Sequence, residues 1–136
     1  MNAVYSHRVL KLYEAVTYEA SVDFADQHAL VALLFRALLQ SLSEAEHHLQ
    51  ASDYIAKGKA ITKAQDILLG LRGTLDFDQG GQLAQDLDAV YDYCTRLLFK
   101  AHAGNDAAKL QEARTLLGSL ESAWQVIPAR LAATAQ

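Results

Sequence analysis

The sequence predicts an all-α fold: an antiparallel up-down four-helix bundle with a short extra N-terminal helix. Long segments repeat apolar residues at helical spacing, and none shows the alternation that is typical of strands. The single proline, Pro128, comes near the end, and glycines cluster around positions 70–73, 80–81 and 104, where turns are expected. Short turns between long helices predict antiparallel neighbours.

Composition predicts a single helical-bundle domain over residues 1–136, with enough apolar material for one core. A net charge of −4 without a basic face argues against nucleic-acid binding. The N-terminus lacks the pattern of a signal peptide, and the most apolar run, 29–39, is well short of the roughly 20 residues of a membrane-spanning helix. The lone Cys94 is interpreted as a buried small hydrophobe and fits a reducing cytoplasm.

Residues 1–26 form an N-terminal segment and a connector. Within it, residues 4–16 place Tyr5, Val9, Leu12, Tyr13 and Val16 on one helical stripe. A helix this short is marginal alone, so we expect it either to dock on the rest of the chain or to be mobile.

The second segment, 27–50, carries an unusually wide apolar arc. One stripe is extended on both flanks, and a narrow polar strip holds Arg36, Gln40, Ser43 and His47. A one-sided surface helix needs an arc of just over ~100°, and the first half of this helix covers roughly twice that. Such a helix must be central in the bundle or must offer a second apolar face to a partner.

Three further helices follow. Ser52 or Asp53 can cap the third, which runs to about Arg72. A turn over 75–81 precedes the fourth, at about 81–103, with Gly104 in the C′ position after it. Asn105 or Asp106 can cap the fifth, which ends before Pro128, and 129–136 is expected to be a frayed tail.

No motif for catalysis or cofactor binding stands out. Glu44 and His47 have the Glu-x-x-His spacing of di-iron bundles, but no second such pair exists in the chain. There is no zinc motif, Walker loop, dinucleotide fingerprint or glycine-framed serine. The five histidines fall at helix ends or polar positions and are interpreted as solvated. We therefore expect no enzyme, cofactor, metal or small-molecule substrate.

The remaining unusual feature is that the helical segments carry more apolar residues at helical spacing than a one-sided surface helix needs. This surplus either fills the core or forms a groove for an amphipathic partner segment, which is a common recognition mode. Periodicity alone leaves both interpretations open.

A set of residues, in order and at fixed spacing, resembles the FliS family of flagellin-specific export chaperones over nearly the full chain. The set comprises Leu30-Val31-Ala32-Leu33-Leu34-Phe35, Lys63-Ala64-Gln65-Asp66-Ile67, Leu75-Asp76, Gly80-Gly81, Leu83-Ala84, Leu87, Tyr91-Asp92-Tyr93, Arg96, Leu98, Ala101, Asn105-Asp106 and Trp124. The resemblance implies a four-helix bundle with an additional N-terminal helix. It also implies a cytoplasmic protein that binds the disordered C-terminal segment of flagellin, prevents early polymerisation, and delivers the complex to the membrane protein of the type III export gate.

The resemblance also implies positions for the two binding sites. The flagellin groove maps to the second and third helices, with candidates Leu30, Leu33, Leu34, Phe35, Ile61, Ala64, Ile67, Leu68 and Leu71. Leu10 and Tyr13 match the N-terminal apolar-x-x-Tyr used toward the export gate. Leu33 and Phe35 lie on opposite edges of the apolar arc, so we expect them, rather than Leu34, to face the partner.

The match is weakest in the N-terminal part. Ala25-Asp26-Gln27 replaces the family's usual Ala-Ser-Pro before the second helix, although Asp26 can still serve as a cap. The alternative function is therefore a helical adaptor or assembly factor for a non-flagellin client. A metal or cofactor bound to the purified protein would instead indicate an enzyme.

Overall fold

The computed structural model describes residues 24–126, with side chains from His28 onward. That range contains four α-helices and no strand: α1 (Phe24–Gln50), α2 (Tyr54–Gly73), α3 (Phe77–Gly104) and α4 (Ala107–Val126). Helices α1 and α3 each pack against both α2 and α4. The four helices thus close a ring around a common core, which confirms the predicted helical bundle. The N-terminal helix predicted at 4–16 and the tail predicted at 129–136 lie outside the described residues.

Contacts between helix ends show that neighbouring helices are antiparallel. His28 in the first turns of α1 bonds Trp124 in the last turn of α4. Lys57 at the start of α2 bonds the carbonyl of His102 at the end of α3.

The start of α1 differs from the prediction. The helix begins at Phe24, three residues before Gln27, so Asp26 lies inside the helix and is not its cap. The cap of α2 agrees with one of the two predicted alternatives: the Asp53 carboxylate accepts a hydrogen bond of 3.2 Å from the Ala56 backbone N–H.

The start of α3 corrects the turn predicted over 75–81. The Asp76 carboxylate accepts hydrogen bonds from the backbone N–H groups of Asp78 and Gln79, so the helix begins at Phe77. The helix is then kinked at Gly81 (φ 52°, ψ −127°), a conformation that glycine adopts without steric cost. The Gly80-Gly81 pair is therefore a kink inside the helix and not a turn before it.

The end of α3 is shifted by one residue. Asn105, and not Gly104, takes the left-handed conformation (φ 48°, ψ 45°), while Gly104 stays helical. Asparagine tolerates this conformation because its short side chain bonds locally. Asp106 caps α4 by accepting from the backbone N–H groups of Ala108 and Lys109.

Apolar residues of all four helices form one continuous core. Cys94 is fully buried in it, as predicted. Among the residues whose side chains are described, two polar side chains are also buried, Ser41 and Lys57, and both are hydrogen-bonded.

Candidate partner-binding surface

The structure places eight of the nine predicted groove residues in the packed interior. Each is at most 6 % exposed, and they are Leu30, Leu34, Phe35, Ile61, Ala64, Ile67, Leu68 and Leu71. Seven of them belong to the continuous core, with Leu30 buried beside it. In this conformation they lie under the surface of α1 and α2 and leave almost no accessible area for a partner to contact.

Leu33 is the one predicted groove residue that is partly exposed. Its partly buried neighbours Ala32, Ala37 and Leu39 pack against the core, whereas Leu33 is not among the described residues that do. Leu33 precedes Phe35 by two residues, or about 200° around the helix. Because Phe35 faces Tyr91 on α3 and Trp124 on α4, Leu33 lies on the opposite side of α1, away from both helices.

Phe35 is as deeply buried as Leu34, at 1 % exposure each. Its ring lies 6.3 Å from the ring of Tyr91 on α3 and 6.4 Å from that of Trp124 on α4, measured between centroids. These tilted contacts are favourable for aromatic pairs. Phe35 thus joins three helices, and its expected contact with a partner stays a prediction.

His28 corrects the interpretation of the histidines as solvated. Its ring is partly buried and stacks on Trp124 with centroids 4.9 Å apart and an interplanar angle of 13°. Because a carbonyl can only accept, His28 Nε2 carries the proton that it donates to the Trp124 carbonyl over 2.9 Å. This contact fixes the start of α1 to the end of α4.

A depression of about 450 Å³ lies between α1 and α4, and no sequence pattern predicted it. Small residues on both helices leave it open, and part of the predicted polar strip lines it. Its lining comprises Ala32, Arg36, Leu39, Gln40, Ser43, Arg114, Gly118, Glu121 and Gln125. Both charge signs occur in this lining, and Arg114 pairs with Glu46, so the depression has no single electrostatic preference.

Exposed apolar side chains were also missed. Tyr54, Ile55 and Phe99 lie outside the helical faces that periodicity assigned to the core, and they are 51 %, 77 % and 68 % exposed. A helical wheel gives no signal for them because isolated outward-facing apolar residues are common.

The described residues hold no arrangement for metal chemistry or thiol catalysis. Within 24–126, no three His, Cys, Asp or Glu side chains come together as a metal site. Burial raises the pKa of the Cys94 thiol to about 11, with the Glu112 carboxylate adding to the shift, so the reactive thiolate is disfavoured at neutral pH. Over the same range, no helix has both the length and the apolarity to cross a membrane.

Leu10 and Tyr13, predicted to contact the export gate, lie outside the described residues. The described part of the chain is a four-helix bundle that has exposed apolar side chains and a depression between α1 and α4.

Comparison with known proteins identifies the family. The family model described as "Flagellar protein FliS" matches residues 9–131. The chain is 36 % identical to the flagellar secretion chaperone FliS of Salmonella typhimurium over 125 residues, covering 91 % of this chain and 93 % of the relative. It is 36 % identical to the flagellar secretion chaperone FliSB of Pseudomonas aeruginosa (91 % and 98 % covered) and 32 % identical to FliS of Escherichia coli (90 % and 90 %). The chain belongs to the FliS family of flagellar secretion chaperones, which is not a family of enzymes.

Proposed function

We propose that this protein is a cytoplasmic export chaperone for flagellin. It binds the disordered C-terminal segment of flagellin, prevents premature polymerisation, and aids delivery to the flagellar type III export gate. Membership of the FliS family over residues 9–131 supports this proposal. The relatives in Salmonella typhimurium and Escherichia coli are both named flagellar secretion chaperones.

The client segment binds along the face formed by α1 and α2, with Leu33 as its first contact. The observation that carries this placement is the contrast between Leu33 and its companions. Leu33 is partly exposed and outside the core, while the eight buried residues form a close-packed support beneath it. A rigid support reduces the conformational entropy that binding must offset.

The energetics favour a client that folds as it binds. A disordered segment loses conformational entropy on binding, so it needs several apolar anchors. Each fully buried Leu or Ile contributes roughly 1.5–3 kcal/mol, so a few anchors offset the ordering cost. Holding and release in this way need no nucleotide site.

The N-terminal residues Leu10 and Tyr13 supply the contact with the export gate. This part of the proposal rests on their match to the family's apolar-x-x-Tyr pattern. Client binding on α1–α2 and gate contact by the N-terminal segment would then use separate parts of the chain.

Calorimetric titration with the C-terminal segment of flagellin from the same organism tests the proposal. We expect saturable binding near one to one, with a negative heat-capacity change from apolar burial. Absence of binding to the folded protein would contradict the flagellin assignment and favour a non-flagellin client.

Leu33→Asp tests the position of the groove, and Leu69→Asp is its matched control. Leu69 is also partly buried and is not among the described residues packed on the core. It precedes Arg72 by three residues, so it shares the flank of α2 that faces α3, where Arg72 pairs with Asp88. We expect Leu33→Asp to weaken flagellin binding at least tenfold and Leu69→Asp to leave it unchanged. Equal affinities for the two variants would contradict the placement.

A further inference from the structure

Two large apolar side chains stand far out of the surface where α2 begins and α3 ends. Ile55 on α2 is 77 % exposed and Phe99 on α3 is 68 % exposed, and Tyr54, which precedes Ile55 in the sequence, is 51 % exposed. We call these three residues the Ile55–Phe99 surface. Single exposed apolar residues are ordinary, so the question is whether these three lie together.

The register of α2 against α3 brings them together. Gly58 touches His102 so closely that a Cβ on Gly58 would lie 2.9 Å from His102 Cε1. The Lys57 ammonium donates to the His102 carbonyl over 3.0 Å and to the Asn105 side chain, and it lies 5.6 Å from the centroid of the Tyr54 ring. The first turn of α2 is therefore fixed beside the last turn of α3.

This register sets the spacing of the two main apolar side chains. Ile55 precedes Gly58 by three residues, and Phe99 precedes His102 by three. Because α2 and α3 are antiparallel, the two side chains lie on opposite sides of the Gly58–His102 contact along the bundle axis. At 1.5 Å per residue they are separated by about 9 Å along the bundle axis, and the axes of packed helices are roughly 8–10 Å apart, so the two positions are about 12–13 Å apart. A partner helix that lies obliquely across α2 and α3 could contact both with apolar residues two turns apart, at i and i+7, which are ~10.5 Å apart before the side chains extend.

Three lysines without a partner among the residues that the structure describes flank the surface, although the chain as a whole carries −4. Lys59 follows Ile55 by one turn, Lys63 by two, and Lys100 is next to Phe99. All three lysines are exposed, and none has a hydrogen bond or ion pair within the described part of the chain.

The neighbouring carboxylates are already engaged. Asp53 and Asp106 accept backbone hydrogen bonds as helix caps, and Asp106 also lies 3.9 Å from the Lys109 ammonium. Asp92 pairs with Arg72 and Arg96, and Asp66 also has an interaction within the protein. The capping aspartates keep their charge, and the three lysines are the charged side chains of this neighbourhood that have no interaction in the described part of the chain.

We propose that the Ile55–Phe99 surface binds an acidic amphipathic helical segment of another protein. Apolar residues of that segment at i and i+7 contact Ile55 and Phe99, and its flanking carboxylates face Lys59, Lys63 and Lys100. A second copy of this chain fits less well, because a two-fold contact through this surface would bring like-charged lysines together. This surface lies on the α2–α3 side, so the proposal goes beyond the flagellin groove assigned to α1–α2.

Two synthetic peptides of about 18 residues test the proposal with the full-length protein. Both carry leucines at i, i+3, i+4 and i+7, and the flanking positions are glutamate in one and lysine in the other. Fluorescence anisotropy of the labelled peptides measures affinity. We expect the acidic peptide to bind saturably, at least tenfold more tightly than the basic one, and more weakly as salt is raised.

Three variants locate the binding. Ile55→Ser combined with Phe99→Ser removes the apolar contacts. Lys59→Glu, Lys63→Glu and Lys100→Glu together reverse the charge. Each set should weaken acidic-peptide binding at least tenfold while circular dichroism stays unchanged. Arg36→Glu is the control, because Arg36 is an exposed cation at the α1–α4 depression, and it should leave the affinity within twofold.

Four outcomes would overturn the proposal. They are no binding of the acidic peptide, equal binding of the two peptides, unchanged affinity in the Ile55 and Phe99 variant, and an equal loss in Arg36→Glu. Self-association of the native protein that disappears in the Ile55 and Phe99 variant, measured by analytical ultracentrifugation, would instead assign the surface to a second copy.

Discussion

His28 and Trp124 bond to each other twice, each donating a ring N–H to the main-chain carbonyl of the other. The distances are 2.9 Å from His28 Nε2 to the Trp124 oxygen and 3.0 Å from Trp124 Nε1 to the His28 oxygen. The two rings also stack, and Trp124 contacts Phe35 in the core. One pair of residues thus joins the first and last described helices.

Trp124→Phe should lower the free energy of unfolding by about 1–2 kcal/mol. The phenyl ring keeps part of the apolar contact but cannot donate to the His28 carbonyl, and a typical hydrogen bond contributes about 1 kcal/mol. Trp124→Ala should cost about 3–5 kcal/mol because it also leaves a cavity.

Urea unfolding followed by circular dichroism measures the free energy of unfolding of both variants. Ser122→Ala, at an exposed position of the same helix, should stay within about 0.5 kcal/mol of the native protein. A Trp124→Phe protein as stable as the native one would show that the bond from Trp124 Nε1 to the His28 carbonyl contributes nothing.

Lys57→Met should destabilise the bundle by about 1–3 kcal/mol. Lys57 is 2 % exposed, and its ammonium is the donor to the His102 carbonyl and the Asn105 side chain at the end of α3. Methionine keeps most of the volume but leaves these acceptors without that donor. Lys59→Met is the control, since Lys59 is exposed and has no partner among the described residues. Similar unfolding midpoints for the two variants, at equal m-values, would contradict the assigned role of Lys57.

Gly81→Ala and Gly118→Ala should change stability in opposite directions. Neither position has an atom within 4 Å of an added Cβ, so available space does not distinguish them. Gly81 has φ +52°, which an alanine adopts at a cost of about 1–3 kcal/mol. Gly118 lies inside α4, where alanine is favoured over glycine by about 0.5–1 kcal/mol. Thermal unfolding measured side by side tests the pair. A stabilised Gly81→Ala protein would show that the kink in α3 is not retained.

Periodicity predicted the bundle because each helix must bury one face, and a buried face requires apolar residues at helical spacing along the sequence. The sequence predicted the helix ends less closely, because several neighbouring residues can cap a helix or take the left-handed position after it. Asn105 takes the left-handed position predicted for Gly104 because both residue types tolerate it. The Asp76 cap allowed α3 to begin before the glycines that suggested a turn.

The candidate site could be predicted only in part. A helical wheel places Leu33 and Phe35 on the two edges of one arc, but it does not show which edge another helix covers. Phe35 is covered because Tyr91 and Trp124, distant in sequence, meet it in space. Leu33 remains partly exposed because it points away from α4. The burial of Lys57 depends in the same way on the end of α3, so no local pattern predicts it.

The Cys94 thiol should make the protein less stable at alkaline pH. Burial, with a smaller contribution from the Glu112 carboxylate, raises the thiol pKa from 9.0 to about 11. Because the folded pKa lies above the unfolded one, the stabilisation is fully present below about pH 9 and is lost as pH rises to about 11. The loss amounts to at most about 3 kcal/mol, at 1.36 kcal/mol per pKa unit.

Cys94→Ala tests this prediction because it has no thiol to ionise. The amount by which its free energy of unfolding falls below that of the native protein should shrink by up to about 3 kcal/mol between pH 8 and pH 11. Urea unfolding of both proteins at the two pH values measures the difference. Burial, the larger cause of the raised Tyr91 pKa, is present in both proteins, and only the smaller contribution from Cys94 is lost in the variant. A stability difference that stays constant with pH would show that the thiol does not titrate differently in the folded and unfolded states.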